Sequence, residues 1–524
     1  MDEVKTEILK FLAKFKFEII VILLLTFAYF LTRLPNLDIL PIFADEAIYV
    51  RWSQIMKNET TLRFLPLSDG KTPLFMWSLI PILPFFGNDL VAGRFLSVLA
   101  GFGTLVGVFV ASRLFFGLKV AILASIFYVV SPYTFFFDRM ALVDSFLNFW
   151  GIWALFLTIL LAKFPRLDLA MILGAVIAGG ILTKPSGWFF LLMVPVSIIL
   201  FNFKKPFSLR LAKLLALWLI VAGIAWLGYN ALKLGPNFQL IAIRNQDYVF
   251  ILGQALKHPF DPFFSHLVDI WDWFGTLLTW PIFLASLAGG VLAIFRRDLI
   301  AIFILIWAVV PLIIQAEIAK VFTARYLIFN ATPLIFLAAI FSAKALDFLS
   351  EKFKYSPYPL LILFLILPSI FIYNAITIPE RAALPRKERS GYLEEWTAGT
   401  GIKDVANFIQ ERAKRRKIMV GTEGYFGTLP NGLEIYLEGV PNVTVIGVGL
   451  GISGPTQPLI NSLVDSEVYL VANSTRINFE SHPQLELIKS YPKAVKPDGT
   501  RENLLLFRVG KKPPASRSLQ KFNK

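Results

Sequence analysis

The chain has 524 residues, of which 56% are hydrophobic and only 17% charged, with 50 Phe, 3 His and no Cys. Soluble domains carry about 25% charge, so a soluble globular fold is excluded; without Cys there are no disulfides, Cys-ligated zinc or thiol nucleophile, and three scattered His give no basis for a metal centre. The net charge of +15 does not point to nucleic acid, because residues 1–375 hold 30 basic and 21 acidic groups and residues 376–524 hold 21 and 15, and neither part has a basic stripe interleaved with aromatics.

The apolar residues fall into runs of roughly 15 to 25, the length that crosses a hydrocarbon core of about 30 Å. The first, 17–31, follows Lys5, Lys10, Lys14 and Lys16 and lacks a small-residue cleavage site, which predicts a retained span with its N-terminus inside. Further spans are expected near 91–115, 119–136, 141–162, 168–182, 187–201, 214–232, 277–295, 299–316, 326–343 and 358–374. The fold class is a polytopic α-helical membrane protein with about eleven transmembrane helices, placed in the cytoplasmic membrane. The inner loops then carry Arg113 and Lys119; Lys163 and Arg166; Lys204, Lys205, Arg210 and Lys213; Arg296 and Arg297; and Lys344, Lys352 and Lys354, as the positive-inside bias requires. Lys71, Arg139, Lys184, Arg244 and Arg325 fall on the outer face against that bias, and an anionic ligand would explain them.

The transmembrane part is expected over residues 1–375, with long outer segments at 35–89 and 235–275. Ile48, Trp52, Ile55 and Met56 recur at helical spacing and predict a helix lying in the membrane interface, and 72–86 reads as a second juxtamembrane piece. A linker over 376–390 leads to an outer α/β domain at 391–510, with a helix around 402–409 and strands at 417–422, 443–448, 468–472 and 504–509, followed by a basic tail at 511–524.

Asp45 and Glu46 lie just beyond the first span, where an acidic residue near lipid invites a functional role and could supply a general base; the structural alternative is that Asp45 caps the helix that follows. Asp138, Arg139 and Asp144 form a second group on the same side, for which a loop ion pair and a helix cap are the structural alternatives. Each outer cation is suited to phosphate, or alternatively snorkels to the headgroups. Gly449, Gly451 and Gly454 match the dinucleotide fingerprint after a predicted strand, but Pro455 and Pro458 follow and weaken it.

Taken in order, Asp45-Glu46-Ala47-Ile48-Tyr49, Gly70-Lys71-Thr72-Pro73-Leu74 with Trp77, Arg94-Phe95-Leu96-Ser97, Arg139 to Asp144, and Arg325-Tyr326-Leu327 resemble the polyprenyl-phosphate-sugar-dependent glycosyltransferases. The similarity is to the protein O-mannosyltransferase and aminoarabinose transferase group, glycosyltransferase family 39-like. That resemblance implies the GT-C membrane fold and inverting transfer of a sugar from a polyprenyl-phosphate donor to an extracytoplasmic hydroxyl of a protein, lipid or glycan, with no cofactor. It also implies Asp45 as base with Glu46 in support, Asp144 as the second acidic site, and Lys71 and Arg139 near the donor phosphate. By position, Lys184, Arg244, Arg325 and Tyr326 join the phosphate contacts. Some relatives carry Arg three residues after the acidic Asp, where this chain has Ile48, with Arg51 further along. A membrane transporter or lipid flippase is the competing class, which would place its charges midspan and often in paired halves. The outer domain is expected to help select the acceptor.

Overall fold

The computed structural model describes residues 2–203, 207–255, 257, 259–352, 357–477 and 484–510. The expected basic tail at 511–524 and the inner-loop residues Lys204, Lys205 and Lys354 lie outside them. The chain forms two compact units: the first contains residues up to Leu37, Thr60–Ser78 and Arg94–Pro385, the second Asp38–Glu59, Leu79–Gly93 and the chain from Arg386 onward.

Among the described residues, seven helices are long and apolar enough to cross a membrane: Lys14–Arg33, Asp89–Phe116, Val143–Lys163, Phe207–Leu234, Phe263–Phe295, Leu299–Ile318 and Ala324–Lys352. Two bent pairs, Leu118–Val130 with Pro132–Asp138 (58°) and Tyr358–Phe364 with Ile366–Thr377 (42°), raise this to nine if each is one span. The other two expected spans are the shorter apolar helices Leu167–Thr183 and Pro185–Leu200; 17 residues rise only about 26 Å.

The break at residues 131–132 organises the first unit. Pro132 has no N–H to continue the ladder and Ser131 caps the new segment, its hydroxyl accepting from the Tyr133 amide at 3.3 Å. The carbonyls of Tyr128 and Val129 thereby lose their helical donors. Arg33, fully buried at the end of the first span, replaces them, donating to Val129 O and, at 3.3 Å, to Tyr128 O. Its charge faces Asp138 at 3.9 Å, whose carboxylate also accepts from Tyr29 (3.1 Å), Tyr128 (3.3 Å) and Ser145 (3.0 Å). The expected loop ion pair of Asp138 with Arg139 is therefore replaced by Asp138 with Arg33. A buried pair is tolerated only when its remaining hydrogen-bonding capacity is filled, as it is here for the carboxylate.

In the second unit, β1 (Ile42–Phe43) pairs antiparallel with β2 (Ala398–Gly399). A five-stranded sheet is built from β3 (Ile418–Thr422), β4 (Val443–Gly447), β5 (Glu467–Asn473), β6 (Leu485–Pro492) and β7 (Asn503–Val509) in the order β4-β3-β5-β7-β6, with β3 parallel to β4 and β5 and the rest antiparallel. Leu459, Leu470, Ala472 and Phe507 form its core. Four of these strands match the sequence pattern; β6, whose residues are mostly exposed or half-buried, was not expected. The glycine pattern at 449–454 does not open a helix. Gly449 instead accepts from the Gly424 amide at 2.9 Å, Ile452 donates to Arg476 O at 2.8 Å, and the next helix is Gln457–Ser462, so the dinucleotide context is not met.

The Ala44–Asn58 helix belongs to this second unit. Its apolar face, expected to lie in lipid headgroups, is covered by protein: Trp52 packs on Phe426 (ring centroids 5.6 Å apart) and Gln54 donates to Ile435 O at 3.0 Å. Arg51 pairs with Glu434 at 3.2 Å and also with Glu438. The β1–β2 ladder and this clamp fix both ends of the helix to the C-terminal residues.

A buried polar cluster supports the same unit. Lys493, 1% exposed, donates to Glu395 O at 2.7 Å, and Glu502 accepts from Lys496 at 2.7 Å. Burial pushes the Lys493 ammonium down to about 8, partly offset by Glu502 and Glu423. The unfolded chain, with lysine near 10.4, binds more protons between about pH 8 and 10, so stability rises with pH across that window.

Two outcomes follow. Gly101→Ala would place a Cβ 2.3 Å from the Tyr29 hydroxyl and 2.4 Å from the Asp138 carboxylate, whereas Gly223 has open space. Melting of the purified protein in detergent should show Gly101→Ala destabilised by about 2–3 kcal/mol and Gly223→Ala unchanged. Resistance of the 391–510 region to proteolysis in urea should increase from pH 8 to 10 by about 1–2 kcal/mol in the wild type and not in Lys493→Met.

Candidate active site

Asp45 is the second residue of the Ala44–Asn58 helix and is half-buried. The N-cap is Phe43, not Asp45. Phe43 has no side-chain acceptor, and the Glu46 carboxylate accepts its backbone N–H at 3.0 Å, so the helix start is secured by Glu46. Glu46 is thus a structural anchor beside Asp45, while Asp45 remains a first-turn carboxylate favoured by the helix dipole.

In the first unit, two groups of the expected residues come together. Lys184, at the end of the Leu167–Thr183 helix, donates to Asp144 at 2.6 Å and sits 3.6 Å from the centroid of the Tyr326 ring, with the Arg325 guanidinium 5.3 Å from the same ring. Asp144 does not cap its helix; the N-cap is Leu142 and Asp144 lies inside the first turn. Its Oδ1 accepts from the Lys184 ammonium, and its buried Oδ2 has no hydrogen-bond partner among the described residues. The Ala324–Leu327 turn is held in place by Tyr133, whose hydroxyl donates to Ala324 O.

The second group joins two segments far apart in sequence. Asp69 accepts from Lys71 at 3.0 Å and from Arg244 at 2.7 Å, Arg244 also pairs with Asp247 at 2.7 Å, and Lys71 donates to the Tyr248 hydroxyl at 3.3 Å. The Asp69 hydrogen bond, with further attraction from Asp247, holds the Arg244 guanidinium above its ordinary value. Leu67, Leu232 and Ile241 form a small core beneath this group.

Arg139 joins neither group. Buried in the turn after the broken span, it donates to the backbone carbonyls of Arg33, Pro35 (2.8 Å) and Asn36 (2.9 Å), which closes the end of the first span. Sequence reasoning missed Asp69, Asp247, Tyr248 and Arg33. Asp69 stands two residues before Lys71, a visible signal, whereas Arg33 looks like any arginine at a span end.

Because Asp144 is 1% exposed, removing only Lys184 leaves a buried carboxylate uncompensated. Lys184→Met should therefore destabilise by about 3 kcal/mol, and Asp144→Asn added to it should restore part of that loss; a double-mutant cycle on detergent melting curves reads the coupling.

A family model described as dolichyl-phosphate-mannose-protein mannosyltransferase matches residues 70–228, a stretch containing Lys71, Arg139, Asp144 and Lys184. Among solved structures, ArnT from Cupriavidus metallidurans in the apo state superposes with a TM-score of 0.54 at 14% identity, covering 95% of this chain and 98% of that one. The same protein bound to undecaprenyl phosphate gives 0.54 at 13%, covering 94% and 98%. The apo oligosaccharyltransferase of Archaeoglobus fulgidus gives 0.52 at 11%, covering 87% and 69%. No curated protein sequence matches the chain. The family-model match over residues 70–228, on a chain with the GT-C fold and these apolar helices, identifies an integral membrane glycosyltransferase that resembles glycosyltransferase family 39.

Proposed function

We propose that the protein transfers a sugar from a polyprenyl-phosphate carrier to a hydroxyl on the outer face of the cytoplasmic membrane, with inversion, and that Asp45 is the base. The observation that carries this reading is the gathering of four counter-bias cations into two groups: Lys71 with Arg244, and Lys184 with Arg325. The carrier lipids bound in the comparison structures, undecaprenyl phosphate in ArnT and dolichol phosphate in the archaeal oligosaccharyltransferase AglB, support the donor class.

The chemistry asks little beyond these groups. Lipid phosphate is a competent leaving group, so fixed cations need only stabilise the charge that develops on it while a carboxylate takes the acceptor proton. Lys71 and Arg244 are assigned to the carrier phosphate, Lys184, Arg325 and Tyr326 to the rim near Asp144, and Arg139 to holding the turn that presents Asp144. The acceptor is a protein, lipid or glycan hydroxyl, and the C-terminal unit is assigned a part in choosing it. The family-model match over residues 70–228 favours this reading over a transporter, the competing class.

The test is release of free polyprenyl phosphate from a panel of polyprenyl-phosphate sugars by the purified protein, with membrane extract as acceptor. Asp45→Asn should lower turnover by about 10²–10⁴-fold with an unchanged melting curve. Turnover near that of the wild type would remove Asp45 from the role of base.

A further inference from the structure

Building on the assignment of Lys71 and Arg244 to the carrier phosphate, we propose that Asp69 is a charge-balancing residue that prevents the site from retaining its product. During transfer, the bond between the sugar anomeric carbon and the phosphate oxygen breaks, a bond from that carbon to the acceptor oxygen forms, and the acceptor proton passes to the base. The carrier changes from a phosphodiester with one negative charge to a phosphomonoester, whose second ionisation near pH 6 leaves about −1.5 to −2 at pH 7. A phosphate site made only of cations would hold that more highly charged product more tightly than the donor.

Here the two cations are not left bare. One Asp69 oxygen lies 3.0 Å from the Lys71 ammonium and the other 2.7 Å from the Arg244 guanidinium, while Asp247 takes the opposite side of Arg244 at 2.7 Å. Lys71, Arg244, Asp69 and Asp247 sum to zero charge. The arrangement is built by the backbone rather than left to mobile side chains. Gly70, at φ +70°, ends the Leu65–Asp69 turn and lies so close to the Leu240–Tyr248 helix that a Cβ would sit 2.5 Å from Arg244 Cβ and 2.9 Å from Leu240 O. Asp69 and Lys71 flank this contact and are carried onto Arg244 by it. The Asp69 side chain is only 17% exposed, so solvent screens it weakly compared with an open surface pair. Asp69 costs some donor affinity and a larger share of product affinity, because its repulsion scales with the charge on the phosphate.

The experiment measures binding of undecaprenyl phosphate, the monoester probe, to the purified full-length protein, and inhibition of turnover by the same lipid. Asp69→Asn should bind it at least fivefold tighter and be inhibited at correspondingly lower concentration, with a smaller change in donor KM. A variant with the wild-type melting curve and unchanged or weaker monoester binding overturns the proposal. If Asp69→Asn does not fold, the more exposed Asp247→Asn takes its place, with an expected twofold or greater tightening; no tightening there overturns it equally. Lys71→Ala separates the two layers. Weaker monoester binding in Lys71→Ala without tightening in the aspartate variants removes only the charge-balancing role, whereas unchanged binding in Lys71→Ala removes the assignment of these cations to the carrier phosphate and this proposal with it.

Discussion

The Arg33 guanidinium at the broken helix is the contact on which the membrane unit's candidate site depends. Proline at position 132 leaves two carbonyls without donors in an apolar environment where water cannot replace them. Arg33 donates to both from a different span, Thr134 adds a second donor to Tyr128 O, and Asp138 balances the Arg33 charge. The neighbouring Arg139 then closes the first span from the opposite direction by binding its terminal carbonyls. These reciprocal contacts fix the turn from 139 to 142, and with it the entry of the helix that presents Asp144 to Lys184.

Around that frame the charges follow one rule: the cations of both groups lie beside a carboxylate, an aromatic face or both. Lys184 has Asp144 and the Tyr326 ring; Lys71 has Asp69 and Tyr248; Arg244 has two aspartates. Such partial neutralisation offsets the repulsion between neighbouring cations.

The spans were legible because apolar run length is a direct consequence of bilayer thickness, and four strands of the C-terminal sheet because β-branched and apolar residues run together. The helix bearing Asp45 was legible as amphipathic, but its apolar stripe says only that something covers it; the cover, Phe426 and the Asn431–Leu437 helix, lies some 380 residues downstream. The cations stood out by running against the expected positive-inside bias, but their partners were not visible. Arg139 and Lys184 read alike in the sequence, yet one is bound to carbonyls and the other to a carboxylate. Strand β6 escaped notice because alternating Leu and Glu followed by exposed residues resembles a loop.

The attachment of the Ala44–Asn58 helix to the C-terminal unit also sets an order in time. Its two-residue ladder requires Ala398 and Gly399, and its Arg51 clamp requires Glu434 and Glu438. Asp45 precedes Ala398, the nearest of those partners in the chain, by 353 residues, so translation makes the helix long before them. The segment carrying the candidate base therefore waits, unsupported, through synthesis of nearly all the membrane spans. On the assignment of Asp45 as base, a chain interrupted before residue 398 lacks every one of these contacts around its base.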